Sequence, residues 1–241
     1  MNTIETNKLT KRYGSLTALD ALDLGVKEGE MLALLGINGA GKTTAIKLLS
    51  CLTPPDEGDA TLGGYSIRKD ANAIKQIINV SPQETAVAPK LSVRENLAFV
   101  ASIYGLDNVP ARVDAMLSRM GLLEVASRKA GTLSGGWQRR LSIAMALISE
   151  PRILFLDEPT LGLDVIARHA LWEQIRALKG KMTVILTTHY LEEAQALCDR
   201  VAILCAGKLR ALGTPDELCA MANTDNFEKA FVTLSTGGAL A

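Results

Sequence analysis

The stretch Gly36-Ile37-Asn38-Gly39-Ala40-Gly41-Lys42-Thr43-Thr44 constrains this chain more than any other part of it. It fits G-x-x-x-x-G-K-[ST], follows the apolar run Met31-Leu32-Ala33-Leu34-Leu35 directly, and opens a helical pattern over residues 43–50. Four fixed positions of this kind coincide by accident in on the order of one chain in a hundred, before the strand and helix on either side are counted. The glycines let backbone N–H groups close around phosphate oxygens, and the following helix adds the partial positive charge of its N-terminus. Lys42 is then in reach of β- and γ-phosphates, and the Thr43 hydroxyl is suited to a Mg²⁺ ion bridging them.

A loop of this kind needs a parallel sheet behind it, and the apolar runs supply one. Residues 31–35, 77–80, 153–156, 184–186 and 201–204 read as short buried strands separated by amphipathic stretches, a pattern for α/β layering around a mainly parallel sheet. The middle of the chain reads as helical instead. Ser92 is a cap for a helix over 93–104, Pro110 suits the first turn of one ending at Met120, and residues 135–149 continue the pattern. The expected division is a core of about 1–89 and 151–222 with a helical insert of about 90–150. A tail over 223–241 is expected as a short helix that frays near Gly237 and Gly238.

Composition narrows the function classes. Lysine plus arginine number 26 and aspartate plus glutamate 26, so no net field draws the chain to nucleic acid, and no nucleic-acid partner is expected. No apolar run approaches the roughly 20 residues that cross a bilayer. The start Met1-Asn2-Thr3-Ile4-Glu5 lacks a basic and apolar leader, which predicts a cytosolic chain that borrows any membrane part. Cys51, Cys198, Cys205 and Cys219 show no C-x-x-C pairing and read as reduced thiols.

Two further motifs carry chemistry. Ile153-Leu154-Phe155-Leu156-Asp157-Glu158 is a buried-strand pattern delivering two acids to the carboxyl edge of the sheet, where ligands of open α/β sheets gather. Beside a phosphate loop, Asp157 reads as a Mg²⁺ holder and Glu158 as the base that polarises an attacking water. Leu133-Ser134-Gly135-Gly136-Trp137-Gln138-Arg139-Arg140 places a serine and two glycines at a second helix N-terminus, another anion-binding end.

With His189 beyond them, these motifs in this order resemble the ATP-binding subunits of ABC transporters over about residues 4–218. The resemblance implies an ABC-type P-loop NTPase core with a mainly parallel central sheet, an N-terminal antiparallel β part and an inserted helical subdomain. It implies ATP and Mg²⁺ as ligands, and ATP hydrolysis coupled to transport. Asn38, Gly39, Ala40, Gly41, Lys42, Thr43 and Thr44 match the phosphate cradle, and Tyr13 matches the aromatic that stacks on adenine. Gln83 matches the glutamine that touches Mg²⁺ and the attacking water at the joint between core and insert. His189 matches the histidine that donates to the γ-phosphate. Asp164, in Leu161-Gly162-Leu163-Asp164, matches the acid of the loop that passes between two such subunits. Ser134, Gly135 and Gly136 match the signature that closes over ATP held by a second copy.

The partners implied are an integral-membrane subunit and a second ATPase subunit, on the cytoplasmic face of the membrane. Trp137, Leu161 and Met145 stand where many relatives have glutamine or methionine, serine, and arginine. The tryptophan-bearing signature with Gln138-Arg139-Arg140, and the tail Asn226-Phe227-Glu228-Lys229-Ala230-Phe231, resemble the branch serving drug, sodium and lipid or polysaccharide exporters, which favours export over import. A non-transporting relative in DNA repair, chromosome structure or translation is the competing class. Against it stand the absence of a long coiled coil between Thr44 and Ser134, the single ATPase module and the balanced charge.

Overall fold

The computed structural model describes residues 2–236. Its middle layer is a six-stranded sheet in which β4 (Met31–Leu35), β7 (Ile78–Ser81), β8 (Ile153–Asp157), β9 (Thr183–Thr188) and β10 (Arg200–Cys205) run parallel and β11 (Lys208–Gly213) closes one edge antiparallel. The order is β11-β10-β4-β9-β8-β7. Every residue of β4, β8 and β9 is buried, as strands covered on both faces must be, so they read as unbroken apolar runs and not as alternation.

The two-residue period of a strand then sorts those side chains between two cores. Met31, Ala33 and Leu35 face one side, with Leu154, Leu156, Val184 and Leu186. Leu32 and Leu34 face the other, with Ile153, Phe155 and Ile185. The second face is covered by α1 (Lys42–Leu49), α2 (Ala71–Ile77) and an antiparallel sheet. That sheet contains β1 (Asn2–Tyr13), β2 (Leu16–Leu22), β3 (Gly25–Lys27), β5 (Glu57–Leu62) and β6 (Tyr65–Ser66). The first face is covered by helices drawn from the middle and end of the chain.

Those helices are α3 (Val93–Ile103), α4 (Val109–Arg119), α5 (Gly135–Leu147), α6 (Val165–Arg176), α7 (Leu191–Leu197), α8 (Pro215–Met221) and α9 (Phe227–Thr236). Ser92 caps α3 as its position suggests: its hydroxyl accepts from the Glu95 N–H at 3.2 Å, and the Glu95 carboxylate accepts from the Ser92 N–H at 2.7 Å. Pro110 occupies the first turn of α4. In the tail, α9 buries Phe227 and Ala230, with Phe227 in the same core as the sheet strands, while the expected fraying at Gly237 and Gly238 lies outside the described residues. No described helix is long and apolar enough to cross a membrane.

Candidate nucleotide site

Four parallel strands end at one edge of the sheet, and their register lines up the residues that follow. Leu35 pairs with Thr188, Asp157 with Thr187, and Ser81 with Leu156. Consequently the loop 36–41, the pair Asp157-Glu158, the segment Pro82-Gln83 and His189 leave the sheet side by side. The loop turns from β4 into α1 through Gly41, whose φ of +104° suits glycine alone; an added Cβ would lie 2.5 Å from the Ala18 carbonyl oxygen.

Around this turn the charged groups contact one another. Lys42, at the first position of α1, donates from Nζ to the Gly36 carbonyl at 2.7 Å and lies 3.3 Å from Glu158 Oε1. The other oxygen of Glu158 is 2.8 Å from His189 Nδ1, so one carboxylate stands between a lysine and a histidine. Both Lys42 and Glu158 are about 6% exposed, which removes them from the screening of bulk water. Glu158 has φ +47°, a left-handed conformation that costs a non-glycine residue about 1–3 kcal/mol and persists only where the surroundings hold it. Its own N–H is held by Thr187, through the carbonyl at 3.1 Å and the hydroxyl at 3.0 Å.

Asp157 completes the edge. Its Oδ1 accepts from the Thr43 hydroxyl at 3.3 Å and from the Thr187 hydroxyl at 2.5 Å. Thr43, Asp157 and the Gln83 amide offer oxygen donors only, the hard ligand set that Mg²⁺ takes with retained waters, so the residues present fit that ion.

An open groove of about 510 Å³ runs over these groups, lined by the loop 38–44 with Tyr13, Gln83, Glu158 and His189. Tyr13, at the tip of the β1–β2 hairpin, is 46% exposed and shows its ring to solvent at the groove's end. A larger groove of about 680 Å³ lies along the antiparallel sheet, lined by Glu5, Asp23 and Asp59 and by no lysine or arginine. Its carboxylates repel phosphate, so size alone misdirects there.

The serine-glycine motif lies elsewhere. Ser134, Gly136, Trp137, Arg140 and Ala167 line a separate shallow pocket of about 130 Å³. The Arg140 guanidinium sits 4.8 Å over the Trp137 ring. Ser134 is the N-cap residue of α5, yet its side chain makes no cap bond. Asp164 does cap its helix, accepting from the Ala167 N–H at 2.9 Å. Within one chain, then, Ser134, Gly135, Gly136 and Asp164 are outside the groove that gathers the phosphate-loop residues.

Three residues enter the site without having been given a role there from sequence. Thr187 is the bond partner of both acids. Glu193 of α7 is fully buried: its Oε1 accepts from Thr160 Oγ1 at 2.8 Å and Trp172 Nε1 at 3.1 Å, and its Oε2 has no hydrogen-bond partner among the described residues. Burial pushes its carboxyl up, opposed by the hydroxyls of Thr188 and Thr160 and by the Trp172 N–H. Arg139 is only 4% exposed and donates to four backbone carbonyls. Burial lowers its guanidinium to about 10, still charged at neutral pH, with Asp157, Glu193 and Glu158 opposing the shift. The signal available for Arg139 is positional, since it shares a helix face with buried Ser142 and Ala146.

Comparison with known proteins agrees with this geometry. A family model described as ABC transporter matches residues 19–161. The linearmycin resistance ATP-binding protein of Bacillus subtilis (strain 168) is 41% identical over 225 residues, covering 92% of this chain and 72% of that protein. The Nod factor export ATP-binding protein I of Burkholderia orbicola (strain AU 1054) is 42% identical over 219 residues, 89% of this chain and 72% of that one. Among solved structures, an ATP-binding subunit of an ABC transporter superposes with a TM-score of 0.86 at 30% identity, over 96% of this chain and 99% of its own. A dimeric ATP-binding cassette in a post-hydrolysis state with ADP and phosphate gives 0.78 at 26% identity, over 88% and 98%.

Proposed function

The chain belongs to the ABC transporter family, and from that membership we infer that it is the ATP-binding and ATP-hydrolysing subunit that powers an exporter through a separately encoded membrane partner. ABC ATP-binding subunits are ATPases in general, and the relatives at about 40% identity carry names of resistance and export systems. The observation that carries the reading is the Glu158 carboxylate held between Lys42 and His189 beside the Thr43–Asp157 oxygens.

In this reading the loop amides and Lys42 bind the β- and γ-phosphates, Tyr13 gives adenine a face, and His189 donates to the γ-phosphate. Thr43, Asp157 and Gln83 hold Mg²⁺, which neutralises charge on the phosphates when bound. Glu158 draws a proton from the attacking water, and its own burial limits how far bulk water competes for that carboxylate. The Ser134 hydroxyl makes no cap bond and the N-terminus of α5 is open to an anion, which supports a second copy or sister chain supplying the ATP they cover. The helical insert of about 90–150 between core segments 1–89 and 151–222 is proposed to meet the membrane partner beside Gln83, on the cytoplasmic face.

Mg²⁺-dependent release of phosphate from ATP by the purified chain is the expected result, together with co-purification of an integral-membrane chain from native membranes. ATP binding without any turnover, under conditions where the membrane partner is present, overturns the hydrolytic assignment. Recovery of ribosomes or DNA in place of that chain overturns the transport assignment.

A further inference from the structure

Arg139 has no role in the reading above, and its surroundings define one. It lies on α5 five positions after Ser134, about 7.5 Å along the axis. Nε donates to the Pro159 carbonyl at 2.7 Å and Nη2 to the Asp157 carbonyl at 2.7 Å. Nη1 donates to the carbonyls of Pro82 and, at 3.1 Å, of Gln83. These acceptors belong to two segments far apart in sequence, the ends of β7 and β8, and a third party, α5, holds both.

The pattern of acceptors is informative. Asp157 and Pro159 flank Glu158, so one guanidinium grips the peptide on either side of the residue whose backbone is left-handed at φ +47°. Pro82 and Gln83 begin the segment whose side chain lines the nucleotide groove. Burying a cation whose hydrogen bonds all go to carbonyls is costly even with Asp157, Glu193 and Glu158 near it, and an apolar residue would fill the space with less penalty if filling were the purpose. Only a planar fork of five donors reaches carbonyls in several directions at once, whereas an ammonium is a point charge.

We propose that Arg139 is a positioning residue: it clasps α5 to the backbone on both sides of Glu158 and to the start of the Gln83 segment, so that movement of the Ser134 end of α5 reaches both groups. The inference rests on Glu158 and Gln83 acting on ATP, and it adds a mechanical link between the helix that faces a second copy and the groups that hydrolyse. Arg139 touches no substrate. It sets the angle at which Glu158 meets the water, and displacements of about 1 Å at such a group cost rates on the order of 100-fold.

The test uses the full chain with Arg139→Lys and Arg139→Ala, measuring kcat, KM, ATP binding in EDTA and the melting curve. Both variants are expected to bind ATP without Mg²⁺ as the unaltered chain does, because all four hydrogen-bond acceptors of Arg139 lie outside the loop 36–44. Expected turnover falls roughly 10- to 100-fold in kcat with little change in KM. Millimolar guanidinium should restore part of the kcat of Arg139→Ala, by refilling the vacated site, and should not stimulate the unaltered chain. Wild-type kcat in both variants overturns the proposal. So does a loss of kcat that tracks lowered melting temperature and ATP binding with no guanidinium recovery, which marks a structural residue only. Failure of the unaltered chain to bind or hydrolyse ATP overturns the premise and the proposal together, and is distinguished by requiring no substitution to be seen.

Discussion

Two helix N-termini in this molecule present glycine-rich backbone, and they are in opposite conditions. At α1, Lys42 and Thr43 already bond to Gly36, Glu158 and Asp157, in a cluster whose charges oppose one another inside one chain. At α5, the Ser134 hydroxyl bonds to nothing at its helix end, and the adjoining pocket holds about 130 Å³ with no carboxylate in its wall. The first can be understood from this chain alone, while the second is half of something. Under the proposed function the difference teaches that chemistry and its licence are kept apart: the groups assigned to hydrolysis are preassembled, and the element proposed to complete them comes from a second copy.

The comparison breaks first at Glu158. Glu158→Gln keeps the shape of the cluster but removes the base, so phosphate release is expected to fall by about 100- to 10,000-fold while ATP binding persists and an ATP-bound dimer accumulates. Single-turnover assays with gel filtration measure both, and wild-type turnover would remove Glu158 from the role. Next comes the open end. Ser134→Glu sets a negative charge at an N-terminus proposed to cover phosphate, and should lower turnover on the order of 10- to 100-fold while leaving ATP binding by the single chain unchanged. Mixing it with Lys42→Ala restores one intact site in each mixed pair, and so up to about a quarter of full activity for a two-fold self-pairing chain. No recovery on mixing would break the inference that the two ends meet between copies of this chain.

What the sequence made legible follows the same divide. The phosphate loop, the buried strand that ends in Asp157 and the Ser92 cap are local patterns, each written within a few residues, and the structure has them at or within a residue or two of their expected bounds. Glu158 meeting Lys42 and His189 depends on strand order, which the motif order implied only through family resemblance. Arg139 was illegible as a buried clasp, because its acceptors Pro82 and Asp157 are 57 and 18 positions away and a basic pair in a helix reads as a solvated face. Asp164, expected as the acid of a loop that passes between two subunits, caps α6 in this chain, a use that its place before a helix also permits.

Thr187 sharpens the closed side of the comparison. Its hydroxyl donates to Asp157 and accepts from the Glu158 N–H, so Thr187→Val deletes two bonds to the acid pair while preserving shape. With one charged acceptor involved, the expected cost is about 2–4 kcal/mol of stability, read as a lowered melting temperature. ATP-dependent turnover should fall less than in Glu158→Gln, since both acids remain. A variant as stable as the parent would mean that neither bond holds the edge together.

The smallest effect tests a carboxyl that belongs to neither end. Glu193 sits beneath the cluster, bonded to Thr160 just past Glu158 and to Trp172 of α6, with burial raising its carboxyl above the usual 4.5. Below that value the folded and unfolded chains both carry the proton, so the group makes no difference to stability. Above it the unfolded chain releases the proton while the folded chain retains it. The unfolded state then binds fewer protons, and stability falls as the pH rises toward the folded value. A glutamine at this position cannot titrate. The melting temperature of Glu193→Gln minus that of the parent is therefore expected to grow between acid and neutral pH, whatever its offset at acid from the amide's own bonding. Each 1 kcal/mol of such a gain corresponds to roughly 2–4 °C in a domain of this size. A difference that is flat with pH, measured by differential scanning calorimetry, would show that Glu193 is ionised in the folded chain and that its Oε2 has found a donor.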